Sequence, residues 1–334
     1  MDYFYLISGI VLALWGFVEG LWTALWVDGT SAPLTGRGTT LIWKVMQCVL
    51  GRRNHKLLSL SGPVILVSTI SLWIIMIILG WTLIFYAAPH AIQNPTTKAY
   101  PGFVGRLWYI TYVMFSVGNG DFTPQSNTWQ LLSAVVAFGG MAMVTLAVTY
   151  ILQVVSAVTV KRSFASQVSS IGKSPEEFVT AQWTGKDFGD IELQLSSLST
   201  SLANLSEKHM AYPILHYYHA AKSQKANAVA LAILDDALMT ITYGVPEVHH
   251  PAGTILKSTR SSIQTFLDTL SGAYISPSNE VPPIPDLTKL KRKSIPTVEE
   301  GEYQKKFGEQ AQRRKKMYGY LQNSAWAWPG AKGN

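Results

Sequence analysis

The stretch Ser116-Val117-Gly118-Asn119-Gly120-Asp121-Phe122-Thr123-Pro124 carries the strongest chemical signal in the chain. Two glycines one residue apart free the backbone to take φ values that other residues avoid, so successive carbonyls can point to one side of an extended strand. Such a row of carbonyl oxygens is a ligand set for a cation, which it holds and releases without making or breaking a bond. In a soluble protein Gly-x-Gly-Asp alone would read as a tight turn, so the surroundings decide. Other groups offer less. His209, His216 and His219, with Asp235-Asp236 on a nearby helix, could ligate a metal or serve a membrane enzyme, the alternative being ordinary polar or partly buried histidines. Gly172-Lys173-Ser174 is similar to the end of a phosphate-binding loop, but Gln167 stands where the upstream glycine is required. Cys48 is the single cysteine, so neither an internal disulfide nor a cysteine zinc cluster can form. No nucleophile or metal constellation stands out, so the expectation is a protein that is not an enzyme and needs no cofactor.

The elements around the glycines are set by where the charges are. Of the 334 residues only 14% are charged, and of these 9 basic and 4 acidic residues fall in 1–162 against 18 and 16 in 163–334. No Asp, Glu, Lys or Arg occurs between Lys56 and Lys98 or between Asp121 and Lys161. Both windows exceed the roughly 20 apolar residues that cross a bilayer. A third apolar run, residues 3–26, carries one charge, Glu19, with Tyr3, Tyr5, Trp22 and Trp26 near its ends, where amphipathic rings favour the headgroup level. It opens on Asp2 and is too long for a signal peptide, so it is read as an uncleaved first span. The expectation is an all-α integral membrane protein with three spans.

The connection 27–62 holds Arg37, Lys44, Arg52, Arg53 and Lys56 against Asp28, and Lys161-Arg162 follow the third span at once. The positive-inside rule puts both in the cytoplasm, with the N-terminus outside and residues 163–334 inside a plasma membrane. The net charge of +7 is thereby assigned to cytoplasmic loops and a lipid bilayer partner rather than to nucleic acid. Residues 1–62 then form a first helix and a cytoplasmic loop. Within that loop Leu41 to Leu50 suit an amphipathic helix, lying in the interface or packed on its own bundle.

Val104 to Phe115 is about three turns of mostly apolar residues, too short to span, and it runs directly into Ser116. Between two full spans, a segment of that length reads as re-entrant. Non-helical backbone at membrane depth is tolerated only where protein buries it or it lines a water-filled path. Residues 63–160 therefore resemble the pore domain of the tetrameric potassium channels, two-helix pore-loop cation channels whose filter reads Thr-Val-Gly-Tyr-Gly-Asp. The match is Ser116-Val117-Gly118-Asn119-Gly120-Asp121 followed by Pro124, with the aromatic pair Trp108-Tyr109 where the family's pore helix carries Trp-Trp, and Gly139-Gly140 where its inner helix carries glycine. The resemblance implies an outer helix 63–86, a pore helix 104–115, a filter 116–121 and an inner helix 127–158, assembled as a homotetramer around one pore. It implies that Ser116, Val117, Gly118, Asn119 and Gly120 coordinate the permeant K+, that Trp108 and Tyr109 support the filter, and that Asp121 forms an acidic ring at the outer mouth. Gly139-Gly140 reads either as a gating hinge or as a close helix contact. Two departures leave selectivity open. Ser116 lacks the methyl that restrains Thr, and Asn119 replaces the Tyr whose ring braces the filter, so a weakly selective pore that also passes Na+ is the alternative.

Residues 161–272 are expected to form a cytoplasmic helical domain that assembles the channel or regulates it through an unidentified ligand or partner. Ser174-Pro175-Glu176-Glu177 is a capping box with Pro at the first helical position. Ile191, Leu195, Leu198, Leu202 and Leu205 form an apolar stripe at helical spacing, and further helices are expected over 213–243 and 253–271. Residues 273–298, with five prolines, read as a linker. Residues 299–334 read as a basic helix and an aromatic tail, either solvated or engaging the anionic inner leaflet. No span carries the Arg/Lys repeat of a voltage sensor, so the gating stimulus is not encoded in an obvious motif. A non-conducting sensor or scaffold built on a channel-like core is the competing class.

Overall fold

The computed structural model describes residues 2–118, 120–271 and 276–330; Asn119 and residues 272–275 lie outside the described residues. The fold is all-α, with two compact units, one of residues 1–26, 31–41 and 64–153, the other of residues 27–30, 42–63 and 154–334. In chain order the elements are α1 (Tyr3–Leu25), α2 (Pro33–Leu50), α3 (His55–Leu58), α4 (Ser61–Tyr86), β1 (Ile92–Gln93), α5 (Phe103–Met114), β2 (Thr123–Pro124) and α6 (Asn127–Ile171). There follow α7 (Pro175–Ala181), α8 (Ile191–Ala211), α9 (Asn227–Gly244), α10 (Gly253–Ser271), α11 (Leu287–Arg292), α12 (Glu300–Gly308) and α13 (Ala311–Asn323). Three of these stretches are long and apolar enough to cross a membrane: α1, His55–Tyr86 and α6.

In the first unit α1 packs along α4 through small residues. Gly9, Ala13, Gly16 and Gly20 recur on one face of α1 and are buried, and a Cβ at Gly9 would stand 2.6 Å from the Gly80 carbonyl. Without a hydrophobic force between helices in lipid, close backbone approach of this kind supplies the contact energy.

Glu19, the one charge of the first span, is only 1% exposed. Its carboxylate accepts from Leu34 N at 2.9 Å, Thr35 N at 3.0 Å, Thr35 Oγ1 at 2.8 Å and Trp15 Nε1 at 3.2 Å. It thus caps the first turn of α2 from another helix, satisfying amide hydrogens that helix geometry leaves without partners. Trp73 Nε1 donates to Thr35 Oγ1 at 3.1 Å and links α4 to the same cluster. Glu19→Ala should cost about 3 kcal/mol, because a buried and a partly buried amide lose a charged acceptor. The check is the melting temperature of the solubilised protein, with Glu19→Gln falling between; an alanine variant that melts with wild type would remove this role.

In the second unit α9 is buried on nearly all sides, as a central helix must be when it is apolar all round. The stripe Ile191, Leu195, Leu198, Leu202 and Leu205 of α8 is buried in the same core. Ser174 Oγ accepts from Glu177 N at 3.2 Å while Glu177 Oε2 accepts from Lys173 N at 2.9 Å, so the cap of α7 forms with the return bond displaced by one residue. Five expectations differ from the structure. The inner helix does not stop at 158, since α6 continues to Ile171, and the basic C-terminal stretch forms two helices, α12 and α13, rather than one. The stretch 213–243 is not one helix: two 3-10 turns, Pro213–Tyr217 and Ser223–Lys225, precede α9. The Pro-rich 273–298 stretch contains α11, whose Leu287 and Leu290 lie in the core with Ile295. The aromatic tail is not solvated, since Trp326 and Trp328 are buried in that core.

Candidate functional site: the Ser116 to Asp121 loop

The loop begins where α5 ends, and the helix end is built to launch it. Val117 N donates to Tyr112 O at 2.9 Å and Ser116 N to Val113 O at 3.0 Å, the paired bonds of a Schellman motif. That motif needs a left-handed residue, normally glycine, and Ser116 takes the position at φ +56°. Gly118 at φ +67° and Gly120 at φ +75° follow, while Val117 is not among the positive-φ residues. Left-handed residues therefore recur at 116, 118 and 120. Asn119, which the resemblance aligns with the family's filter tyrosine, lies outside the described residues.

Two ties hold the far end of the loop. Trp108 Nε1 donates to Asp121 Oδ2 at 3.0 Å, and Tyr112 Oη donates to Phe122 O at 3.2 Å. Beyond them β2 pairs antiparallel with β1, Ile92 opposite Pro124 and Gln93 opposite Thr123, so the chain returns to a fixed point before α6 starts. Trp108 and Tyr109 divide their work. Trp108 is half exposed and bonds the loop, whereas Tyr109 is buried and its hydroxyl meets Ser133 Oγ of α6 at 2.5 Å. Tyr109 thus anchors the short helix to the long one.

Gly140 supplies a second anchor. A Cβ there would collide with the Met114 carbonyl at the end of α5, so the glycine lets α6 pass directly against the turn that launches the loop. The helix runs unbroken through Gly139-Gly140, and Gly139 faces the Phe17 ring. Sequence reasoning missed Arg106. It is buried, its Nε donates to Phe85 O at 3.0 Å and one NH2 group to Pro89 O at 2.8 Å, and the other bonds the Pro101 carbonyl. The signal was a lone cation in an apolar segment; the partners are carbonyls, which no sequence pattern marks. Tyr112 and Ser133 were missed for the same reason.

The histidines do not converge. His209 Nδ1 meets its own helix at Leu205 O, 3.2 Å, His216 Nε2 meets Asn323 Oδ1 at 2.8 Å, and His219 Nε2 meets His55 Nδ1 at 3.0 Å. Asp235 and Asp236 are engaged by Arg313 and Arg314. Among the described residues no group of three or more His, Cys, Asp or Glu side chains is arranged to hold a metal ion.

A short helix between two spans, a glycine loop at its end and a long helix packed against that junction define a pore-loop membrane protein. Residues 71–157, from within α4 through the loop and most of α6, match the family described as "Ion channel", so this stretch carries a two-helix pore-loop channel domain. The chain is also 37% identical over 325 residues to the uncharacterized membrane protein YdjJ of Bacillus subtilis (strain 168), covering 97% of this chain and 95% of that one. The family match leaves α1 and everything after residue 157 unassigned, whereas the likeness to YdjJ extends over both. No solved structure matches the chain. The matched family is a channel family and not an enzyme family, in line with the expectation that the chain is not an enzyme.

Proposed function

We propose that four copies of this chain form a channel for monovalent cations, potassium first among them, with the carbonyls of Ser116 to Gly120 as the ion ligands. The recurrence of left-handed residues at 116, 118 and 120 carries the reading. A strand that alternates handedness turns successive peptide planes alike, which brings its carbonyls to one side and its side chains to the other, as a ring of coordinating oxygens requires. The loop is exposed on the single chain, with Val117 at 69%. Backbone of this kind is not left against lipid, so further copies around an axis are the cover that suits it. Leu131, Val135, Phe138, Val148, Leu152 and Val155 of α6 are exposed too and give the copies an apolar face to share with one another or with the pore.

Within such an assembly four Asp121 carboxylates, each held by Trp108, would raise the cation concentration at one mouth. The positive-inside reading makes that mouth external and the second unit cytoplasmic, in a plasma membrane, where it would assemble or regulate the pore. A bend of α6 at Gly139-Gly140 would pull it from Met114 and so couple gating to the loop.

Reversal potentials of purified protein in liposomes with potassium on one side and sodium on the other test conduction and selectivity together. A potassium-selective flux is the expected result. Absence of flux at every voltage and pH would instead favour a non-conducting scaffold, and equal permeabilities a weakly selective pore. Asn119→Tyr, which restores the family's aromatic, should raise the potassium-to-sodium permeability ratio by about 10-fold or more, the scale of about 1.4 kcal/mol. An unchanged ratio would remove the missing brace as the determinant.

A further inference from the structure

The second unit encloses a cavity of about 150 Å3. Its lining includes Lys161 and Arg162 of α6, Lys225, and the first turn of α9 at Asn227, and it contains no Asp or Glu. Three cations without a carboxylate invite an anion. None of the three is in an ion pair among the described residues.

Lys161 states the problem most sharply. It is 8% exposed, and its Nζ donates to Leu215 O at 2.7 Å and Tyr218 O at 3.1 Å. Two carbonyl bonds leave a third N–H to place and supply no counter-charge, and a buried cation without one is costly. Lys225 Nζ donates to Ser166 Oγ at 2.7 Å and also lacks a counter-charge.

The start of α9 adds to the same field. This 18-residue helix has no side-chain cap hydrogen bond, so its first amide hydrogens and the positive end of its dipole are presented where Ala226, Asn227 and Ala228 line the cavity. Asn227 is 2% exposed; its amide nitrogen donates to Tyr320 Oη at 3.1 Å, and its amide oxygen has no hydrogen-bond partner. The two amide atoms exchange places by a flip, which would turn the NH2 group to a ligand in the cavity.

His216 and His219 also line it. Burial pushes both imidazoles down, His216 to about 4 and His219 to about 3, where His55 and Lys161 add to the effect. Both are neutral at physiological pH, so they contribute polarity without deepening the positive charge. Cavities of this size hold a benzene ring, and a phosphate group is smaller.

We propose that this cavity binds a phosphate-bearing anion, held by Lys161, Arg162 and Lys225 against the first turn of α9. The ligand is a soluble phosphate compound or an anionic phospholipid headgroup; the chemistry recognised is the same. The site lies outside the residues that match the channel family, yet two of its cations sit on α6, the helix that carries Gly140. Binding can be read without any flux, so a failure here is separate from a failure of the channel reading.

The test uses the full chain in zwitterionic nanodiscs, melted against inorganic phosphate at constant ionic strength with chloride as control. A second arm replaces part of the lipid with phosphatidic acid. The expected result is a saturable rise in melting temperature in at least one arm, with the responding arm identifying the source. Arg162→Gln/Lys225→Gln should weaken that response at least about 10-fold, since each cation makes a charge-assisted bond. Both side chains are exposed, so the double variant should melt like wild type without phosphate. No saturable rise in either arm, a rise matched by chloride, or equal affinity in the double variant would each overturn the site.

Discussion

Gly118→Ala should abolish cation flux while leaving the protein folded and assembled. Gly118 sits at φ +67°, and an L-residue in the left-handed region costs about 1–2 kcal/mol. One chain carries that cost easily, and no atom lies within 4 Å of a Cβ placed there, so the fold itself has no reason to fail. In a four-fold pore the cost is incurred four times, about 4–8 kcal/mol, which depletes the ring of aligned carbonyls at least about a thousandfold. Ser116 shows why the same argument does not extend to every residue of the loop. It is an L-residue already at φ +56°, but the two Schellman bonds from Ser116 N and Val117 N hold it there, whereas among the described residues Gly118 has no such bond. Liposome flux reads the loss, and cross-linking reads the assembly. A semisynthetic chain with D-alanine at 118, which prefers positive φ, should conduct. Wild-type flux from the L-alanine variant, or no flux from the D-alanine chain with intact assembly, would show that the backbone handedness of the loop is not what conduction needs.

The sequence was legible where the signals are local. The charge-free windows and the glycine pair gave the spans and the loop, because lipid imposes length and polarity residue by residue. The stripe Ile191 to Leu205 and the cap at Ser174 were legible because helix periodicity and capping act over a few residues. What was illegible depends on partners far away in the chain. The apolar window suggested that α6 ends near Val158, yet the helix continues to Ile171, since Lys161 and Arg162 end an apolar run without ending a helix. Proline-rich 273–298 reads as a linker because proline breaks regular elements, but Leu287 and Leu290 still find a core. Arg313 and Arg314 look like part of a basic surface run until their acids, 78 residues earlier, are found beneath them. Arg106 is the same case in the candidate site, a cation whose partners are backbone carbonyls.

Arg314→Met should destabilise the second unit by about 3–5 kcal/mol, the loss typical when one member of a buried ion pair is removed. Arg314 is 1% exposed. Its Nε and one NH2 group hold Asp236 at 3.1 and 2.9 Å, and the guanidinium also donates to Pro282 O at 2.8 Å and Pro283 O at 2.7 Å. It lies over the rings of Phe307 and Trp328 at 5.0 and 5.5 Å. One side chain therefore ties α9, the Pro282-Pro283 segment and the C-terminal aromatics together. Methionine fills part of the volume but leaves Asp236 facing an apolar core. Burial pushes the Asp236 carboxyl up to about 7 even though Arg314 pulls it down; without the guanidinium it rises further. A carboxyl whose folded pKa is raised favours the folded state at low pH and loses that advantage as pH rises through the raised value. The gap in melting temperature between wild type and Arg314→Met should therefore narrow as pH falls toward about 7, the wild-type value, and level off below it, where both proteins protonate alike. The three buried histidines act alike in both proteins and cancel from the comparison. Adding Asp236→Asn should restore part of the loss, because it removes the orphaned charge, and the double-mutant cycle then measures the coupling directly. If Asp236→Asn instead adds its own full cost to that of Arg314→Met, or if the gap is flat with pH, then the arginine acts through its packing and its proline carbonyls, and the ion pair contributes little.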